Sequence, residues 1–367
     1  MKFNSSKSFQ LCLVFLMISL VNCSNSDTTN DTPTPTRNFE MGFTTWPFGP
    51  NLQDVDDTYN FIKNNADVYT EHIDNNIPWN AWMNDQTLPS EFTDEINGKV
   101  SRRLNKKLLL SVSLFNLNRD DLAEDIDGTV PSYTQLNDSS IEDAYFKHVQ
   151  YLINQFFPDY LVIAIEVNEL RLRAEGKWDA YQLLIQNVTS RIKDLYPNLP
   201  ISESVSLHNW YDPDNSNTSE YILEISNHIN QLDFAAISFY PFLKNLHTKN
   251  EFQQAFDFLH EHINIPIAFV ETSHIAENLD IPNLNVFISS SELEQNIYLE
   301  TLFENAQIQD YHFVSWWTHR DYDLLWETFP EDLKDIGQLW RDTGLIDENA
   351  IERVSRSTWH TYFNLSQ

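Results

Sequence analysis

The stretch Tyr160-Leu-Val-Ile-Ala-Ile-Glu-Val-Asn-Glu169 carries an apolar run directly into a carboxylate. A second stretch, Ile267-Ala-Phe-Val-Glu271, has the same form. Short runs rich in Val, Ile and Phe are typical of buried strands, and the polar residues that follow mark the end of each strand. Because the carboxyl ends of parallel strands meet at one edge of a sheet, we expect Glu169 and Glu271 to share a cleft.

Eight such apolar runs alternate with longer amphipathic segments, which predict helices. The predicted strands cover residues 40–45, 66–74, 107–114, 160–168, 201–206, 232–239, 266–271 and 311–316. The predicted helices cover residues 54–65, 91–104, 141–156, 178–195, 219–230, 250–262, 291–307 and 331–340. This order predicts an α/β fold, a single (β/α)8 TIM barrel over residues 39–367. An open doubly wound sheet is the alternative; the count of eight and the lack of a Gly-rich phosphate loop after the first run disfavour it.

The first 38 residues are predicted to lie outside the barrel. Two lysines precede a short apolar segment that has the form of a signal peptide and is too short for an ordinary membrane span. The ending Leu20-Val-Asn-Cys23 resembles a bacterial lipoprotein signal, which implies removal of residues 1–22 and lipidation of Cys23. Residues 23–38 are polar and predict a flexible tether, with the domain anchored outside the cytoplasm. A cleaved secretory signal without a lipid is the alternative.

Composition disfavours several functional classes. The formal net charge of -31 would repel the phosphates of a nucleic acid. The two cysteines are Cys12, in the signal, and Cys23, so the mature domain would have no disulfide. The sequence has no His-Glu-x-x-His motif, no clustered His/Cys spacing and no Gly-x-Ser-x-Gly elbow, and therefore predicts neither a metal nor a cofactor nor a serine nucleophile. We expect a monomer.

The ends of the predicted strands indicate the chemistry, because active sites of (β/α)8 barrels lie there. Paired carboxylates can cleave a glycosidic bond, and flat aromatic faces suit the C–H side of pyranose rings. The strand ends carry both kinds of residue, namely Trp46, His72, Asp74, Phe115, Asn116, Asn168, Glu169, His208, Trp210, Tyr240, Glu271, Trp316 and Trp317. From this set we expect His72, Asp74, His208, Trp210 and Trp46 to contact a carbohydrate substrate.

The motifs Ile165-Glu-Val-Asn-Glu169 and Phe269-Val-Glu271 resemble clan A of the retaining glycoside hydrolases, as do Tyr240 and Trp316 at the ends of strands six and eight. The resemblance implies a glycoside hydrolase that cleaves β-glycosidic bonds of an extracellular polysaccharide by double displacement, in an endo-acting manner. The compact barrel and the lipoprotein signal are similar to the family 53 endo-β-1,4-galactanases. Those enzymes have Gly before the Asn-Glu pair, where this chain has Val167.

The resemblance also implies a role for each residue of the motifs. Glu169 would be the general acid/base and Glu271 the nucleophile. Asn168 would bind the sugar 2-hydroxyl, Tyr240 would donate its hydroxyl to Glu271, and Trp316 would form the floor of the subsite for the reacting sugar.

Three alternatives stay open. Glu166 competes for the role of the acid, but its odd spacing from Glu169 is expected to turn its side chain to the opposite face of the strand, towards the helices. Glu169 could instead be a charge in the first turn of a helix. The whole chain could be a non-catalytic, glycan-binding surface lipoprotein on a degenerate barrel. An isomerase or aldolase is disfavoured because the chain has neither a phosphate-binding Gly loop nor a lysine at a strand end.

Overall fold

The computed structural model describes residues 36–74 and 76–367. The predicted signal peptide, the lipidation site Cys23 and most of the predicted tether lie outside the described residues. The end of that tether belongs to the fold, contrary to the prediction. The Arg37 amide donates to the Ser366 carbonyl at 2.8 Å. The buried Arg37 side chain lies 2.8 Å from Asp67. Residues 36–38 are therefore held against the barrel.

The strands form a closed parallel barrel, as predicted. They are β1 (Glu40–Thr44), β2 (Val68–Ile73), β3 (Lys107–Val112), β4 (Tyr160–Val162), β5 (Ile201–Ser202 and Ser204–Ser206), β6 (Ala235–Phe239), β7 (Ile267–Thr272) and β8 (Phe313–Trp316). The first segment of β5 pairs with β4 and the second with β6, while β1 pairs with both β2 and β8. The sheet order is therefore 5-4-3-2-1-8-7-6-5, which returns to its starting strand.

Helices cover the outside of this sheet and fill its longer connections. They are α1 (Leu52–Asn65), α2 (Trp79–Met83), α3 (Ser90–Val100), α4 (Ser139–Phe156), α5 (Val167–Arg173), α6 (Trp178–Leu195), α7 (Leu207–Tyr211), α8 (Thr218–Ile229), α9 (Lys249–His262), α10 (Glu292–Ile308), α11 (Asp323–Trp326), α12 (Glu331–Gln338) and α13 (Val354–Phe363). Short 3-10 turns cover Glu175–Lys177, Pro241–Lys244 and Pro282–Leu284, and a small antiparallel sheet joins Leu279–Ile281 to Val286–Ile288.

Side chains of the strands alternate between the barrel interior and the helix layer, as the pleat requires. Leu109 and Val270 pack with Phe313 in one cluster inside the barrel. Their sequence neighbours Leu110 and Phe269 pack in the larger core between the sheet and the helices. The alternation fixes which residues can reach the cleft at the carboxyl ends of the strands.

The helix that completes the outer layer is α13, whereas the sequence assigned that place to residues 331–340. Trp359 of α13 packs against Phe43 of β1 with ring centroids 4.2 Å apart, and against Phe303 of α10 at 5.6 Å. Helix α12 contacts the antiparallel sheet that follows β7 instead. The connection after β8 therefore adds structure at the end of the barrel where the site lies. Among residues 36–74 and 76–367, no helix is both long and apolar enough to span a membrane.

Candidate active site

Glu271 lies near the carboxyl end of β7 and contacts two polar side chains, one on β2 and one directly after β6. The Tyr240 hydroxyl, from the residue that follows β6, donates to Oε1. The Nε2 atom of His72, on β2, lies 2.9 Å from Oε2. The Tyr240 hydroxyl thus contacts Glu271 as the resemblance implies, and its part in catalysis stays a prediction.

His72 and Tyr240 both respond to the charge of Glu271. Burial alone would lower the pKa of His72, but the adjacent Glu271 carboxylate outweighs it and raises the pKa of the imidazole. Burial and the same carboxylate raise the pKa of Tyr240 well above its ordinary value, so its hydroxyl keeps the proton that it donates. Near neutral pH, Glu271 is thus held between a protonated phenol and a histidine that is easily protonated.

Glu166 is the second carboxylate in the cleft. It follows β4 with a left-handed backbone φ of 52° and immediately precedes α5. The Ser238 hydroxyl donates to its Oε1 at 2.9 Å, and Arg119 Nε lies 3.5 Å from its Oε2. Burial raises the pKa of Glu166 to about 7; Arg119 opposes this increase, whereas the negative charges of Glu271 and Glu169 add to it. A carboxyl with this pKa can carry a proton near neutral pH.

The geometry of the sheet brings Glu166 and Glu271 together. Ser238, which donates to Glu166, is the register partner of Glu271 across the β6–β7 pair. That register shifts between Ile237 and Ser238, so Glu271 faces the cleft even though Val270 already faces the interior. Each of the two carboxylates also feels the charge of Arg119.

Arg119 connects this pair to Asp74. It lies in the connection after β3, is 6% exposed, and forms a two-pronged contact with Asp74 at 2.9 and 3.1 Å. Burial of Asp74 would raise its pKa, but the Arg119 guanidinium dominates and lowers the pKa to about 2. Asp74, predicted as a substrate contact, therefore holds an arginine that faces the carboxylate pair.

The predicted positions of Glu169 and Asn168 are wrong, because β4 ends at Val162 and α5 begins at Val167. Both residues lie in the first turn of that helix. Glu169 is 3% exposed; its Oε1 accepts from Ser206 and from Asn209 at 2.7 Å, and its Oε2 forms an ion pair with Arg173 at 2.9 Å. The alternative interpretation of Glu169, a charge at a helix N-terminus, matches this placement.

Asn168 has no group left for a sugar hydroxyl. Its amide nitrogen donates to Ser206 and, at 2.9 Å, to the Tyr221 hydroxyl, while its oxygen accepts from the Ser206 amide at 2.8 Å. The side chain is fully buried. It joins α5 to β5 and α8, so the predicted contact with a 2-hydroxyl is contradicted.

The aromatic residue that faces the cleft from β8 is Trp317, where the sequence predicted Trp316. Trp316 is fully buried in the core between sheet and helices, and its indole donates to the Thr343 carbonyl at 3.0 Å. The ring centroid of Trp317 lies 5.6 Å from that of His72 and 5.1 Å from that of Trp46. Trp46 and Trp317 form an aromatic wall, which Trp340 extends with its ring 5.7 Å from Tyr240; contact of Trp46 with substrate stays a prediction.

The two predicted residues after β5 differ in their placement. The ring of His208 lies 6.4 Å from that of Tyr240, and burial lowers the pKa of His208 to about 4, so the ring is neutral behind the site. Trp210 is fully buried, packs against Phe258 at 5.2 Å and donates to the Ile222 carbonyl. Its place in the helix layer contradicts the prediction that it contacts substrate.

The sequence analysis named Trp317 at a strand end but gave its role to Trp316, and it overlooked Arg119 and Ser238. Phe313 and Ser315 face the barrel interior, since Phe313 packs there and Ser315 bonds to Thr70 at 2.8 Å. Strict alternation along β8 then directs Trp317 inwards and Trp316 outwards. Ser238 left the same kind of signal, since Ala236 faces the interior and Ile237 the helix layer, whereas Arg119 left none because it lies in a connection.

The arrangement provides one carboxyl that can carry a proton and one carboxylate that contacts a tyrosine and a histidine, beside an aromatic wall. Two carboxyl groups with different environments can act as acid and base, or as acid and nucleophile. Glu166 has the raised pKa expected of a proton donor. Glu271 has the donors expected of an ionised partner.

Comparison with known proteins shows the fold. No family model and no curated protein matches this chain. A GH53 catalytic domain from Ignisphaera aggregans superimposes with a TM-score of 0.57 and 16% identity, covering 90% of this chain and 98% of the other. A GH5_18 protein from Bifidobacterium longum in complex with Manβ1-4GlcNAc superimposes with a TM-score of 0.63 and 14% identity, and the match covers 90% of this chain and 80% of the other. A GH5_18 protein from Streptomyces cattleya in complex with GlcNAc superimposes with a TM-score of 0.63 and 11% identity, and the match covers 91% of this chain and 82% of the other. The chain therefore shares the (β/α)8 barrel of these glycoside hydrolases.

Proposed function

We propose that this chain is a retaining β-glycosidase in which Glu166 is the general acid/base and Glu271 the nucleophile. The observation that supports it is the pair itself: a carboxyl with a pKa of about 7 and a carboxylate held by Tyr240 and His72, linked through Ser238. The assignment of Glu271 agrees with the sequence analysis. The assignment of Glu166 replaces that of Glu169.

The mechanism has two steps on the same carbon. Glu166 gives its proton to the glycosidic oxygen as the bond from that oxygen to C1 breaks, and a Glu271 oxygen bonds to C1 from the opposite face. Glu166, now ionised, then removes a proton from water. The water oxygen attacks C1, the ester bond to Glu271 breaks, and the sugar leaves with the configuration it had at the start.

Each neighbour of the pair has a part in this cycle. Tyr240 and His72 stabilise the negative charge that Glu271 carries before the ester forms and again after its hydrolysis. Ser238 and Arg119 orient Glu166 and keep its pKa from rising further. Trp317 and Trp46 provide aromatic faces for the sugar ring.

The proposed substrate is a β-linked polysaccharide or oligosaccharide outside the cytoplasm, cleaved within the chain. Support comes from the aromatic wall and from the fold shared with proteins whose complexes contain Manβ1-4GlcNAc or GlcNAc. The extracellular location depends on the predicted lipid anchor at Cys23. Labelling of cells with a radioactive fatty acid tests that anchor, since Cys23→Ala should abolish the label.

A screen followed by a stereochemical assay tests the function. Purified protein is incubated with β-mannans, β-galactans, β-glucans and their oligosaccharides, and new reducing ends are counted. Proton NMR of the first product then reads the anomer. The proposal predicts new ends that are β when formed. Binding without new ends would support the glycan-binding alternative, and an initial α-anomer would exclude retention.

A further inference from the structure

A second group of ionisable side chains lies apart from the carboxylate pair. It consists of His247, in the connection before α9, His274, two residues beyond β7, and Glu294, in the first turn of α10. His247 Nδ1 lies 2.6 Å from Glu294 Oε1, and His274 Nε2 lies 3.4 Å from the same oxygen. The three elements are distant in sequence, so motif spacing could not indicate the group.

His274 has more acceptors around it than a neutral imidazole can serve. Its Nδ1 lies 2.9 Å from the Ile275 carbonyl, and its Nε2 lies 3.4 Å from both the Leu246 carbonyl and Glu294. The side chain is fully buried, and a neutral imidazole has one N–H. The shorter contact places that hydrogen on Nδ1. The Nε2 lone pair then faces two oxygen atoms with no proton between them.

A bound cation removes this conflict, and we propose that His247 Nδ1, His274 Nε2 and Glu294 Oε1 form a Zn²⁺ site. Two imidazole nitrogens and one carboxylate oxygen suit Zn²⁺ better than Ca²⁺ or Mg²⁺, which prefer oxygen ligands. The Nδ1–H bond of His274 to a carbonyl is the kind of support that orients a metal-binding histidine. Water or the Leu246 carbonyl can fill the fourth position.

The three ligand atoms lie within 4.8 Å of one another, and one of their separations already suits a tetrahedral ion. Zn–ligand bonds of about 2.0–2.1 Å separate the ligand atoms by about 3.3 Å. The separation of His274 Nε2 from Glu294 Oε1 is 3.4 Å. The 2.6 Å contact between His247 and Glu294 must open by about 0.7 Å, as the ion replaces their shared proton. The His247 side chain is 32% exposed, which gives it room to move and the ion a path to enter.

Two other clusters of acidic side chains, one around Asp321 and one around Asp342, differ from the His247–His274–Glu294 group because arginines already neutralise them. Asp321 lies 2.7 Å from Arg353, and Asp342 lies 2.7 Å from Arg341. The His247–His274–Glu294 group has no Lys or Arg in its recorded ion pairs. Zn²⁺ there would join the connection after β6, the connection after β7 and the start of α10, and so stabilise the segment that follows Glu271.

Metal binding to the purified full chain without a polyhistidine tag tests the proposal. The protein is stripped with EDTA, equilibrated with Zn²⁺, dialysed and analysed for metal content. We expect one zinc per chain and a Tm that rises by about 3–4 °C when free Zn²⁺ is 100 times Kd. His247→Ala and Glu294→Gln should each weaken binding at least tenfold. The exposed His360→Ala, on α13, is the matched control and should bind as the wild type does.

Two results would overturn the proposal. One is a wild-type chain that retains less than about a tenth of an equivalent of zinc under conditions where its Tm shows it is folded. The other is equal retention in wild type, His247→Ala and Glu294→Gln, which would place the bound ion elsewhere. Neither result bears on glycosidase activity, which is measured separately.

Discussion

The carboxyl ends of β4 and β7 present the same kind of residue by different routes. β7 runs straight into Glu271, with a single register shift that turns the side chain into the cleft. β4 stops at Val162; the backbone then takes a left-handed turn at Glu166, and α5 follows at once. A bulged strand thus presents Glu271, whereas a left-handed turn beyond the end of a strand presents Glu166.

The surroundings of the two carboxylates differ as much as their backbones. Glu271 accepts from a tyrosine and a histidine, which stabilise negative charge. Glu166 is partly buried beside two other carboxylates, and its arginine and serine only partly offset the rise in pKa to about 7. The difference separates the roles, since the first environment suits a nucleophile and the second a proton donor.

Removing the carboxylate of β7 should have the largest effect. Glu271→Ala should lower kcat by about 10⁴-fold or more, because no covalent intermediate can form. Added azide should restore turnover of an activated aryl β-glycoside by attacking C1 from the vacated side, giving the α-glycosyl azide. Product analysis by NMR checks this. Wild-type activity in the variant would remove Glu271 from the mechanism.

Removing the donor to Glu271 should have the next largest effect. Tyr240→Phe keeps the ring that packs near His208 and Trp340 but loses the hydroxyl bond to the carboxylate. Loss of a buried donor to a charged group in the site should lower kcat about 10²-fold. Steady-state kinetics measure it. An unchanged kcat would mean that His72 alone suffices for Glu271.

Asn168, beside Glu169 in α5, should affect stability rather than chemistry. Asn168→Ala leaves the Ser206 amide and the Tyr221 hydroxyl without their buried partner, which should lower the free energy of unfolding by about 1–3 kcal/mol. Urea denaturation measures the change, with the exposed Asn227→Ala as the control. Unchanged stability with a large loss of kcat/KM would restore the sugar-binding role.

The pKa of Glu166 should set the high-pH limb of kcat/KM, near pH 7. The Arg119 guanidinium lowers that pKa, so Arg119→Gln should raise it and move the limb to higher pH, by about one unit. Ser238→Ala removes the weakest of the recorded influences and should move the limb in the same direction by less. A limb that moves to lower pH in Arg119→Gln would contradict the assignment.

The sequence predicted the barrel well because strand and helix patterns follow from burial. The bounds of α6 agree with the prediction at both ends, and β3 begins where it was expected. The predicted cleft residues Glu271, Tyr240, His72 and Trp46 lie together for the same reason: they end or follow strands.

The misassigned residues share a physical cause. The parity argument that directed Glu166 to the helices assumed an extended strand through residue 168, but the chain leaves the strand at Val162 and turns at Glu166. Arg119 comes from a connection, where periodicity gives no direction. Trp210 was expected to contact substrate because it follows β5, yet α7 turns it into the helix layer.

The most direct test of the central claim compares Glu166→Ala with Glu169→Gln on the same activated aryl β-glycoside. Glu166→Ala should accumulate the glycosyl ester on Glu271, and azide should release it as the β-glycosyl azide, because the second attack returns the original configuration. Glu169→Gln should keep kcat within about tenfold of the wild type per folded molecule. Formation of the β-azide by the Glu169 variant and not by the Glu166 variant would contradict the account.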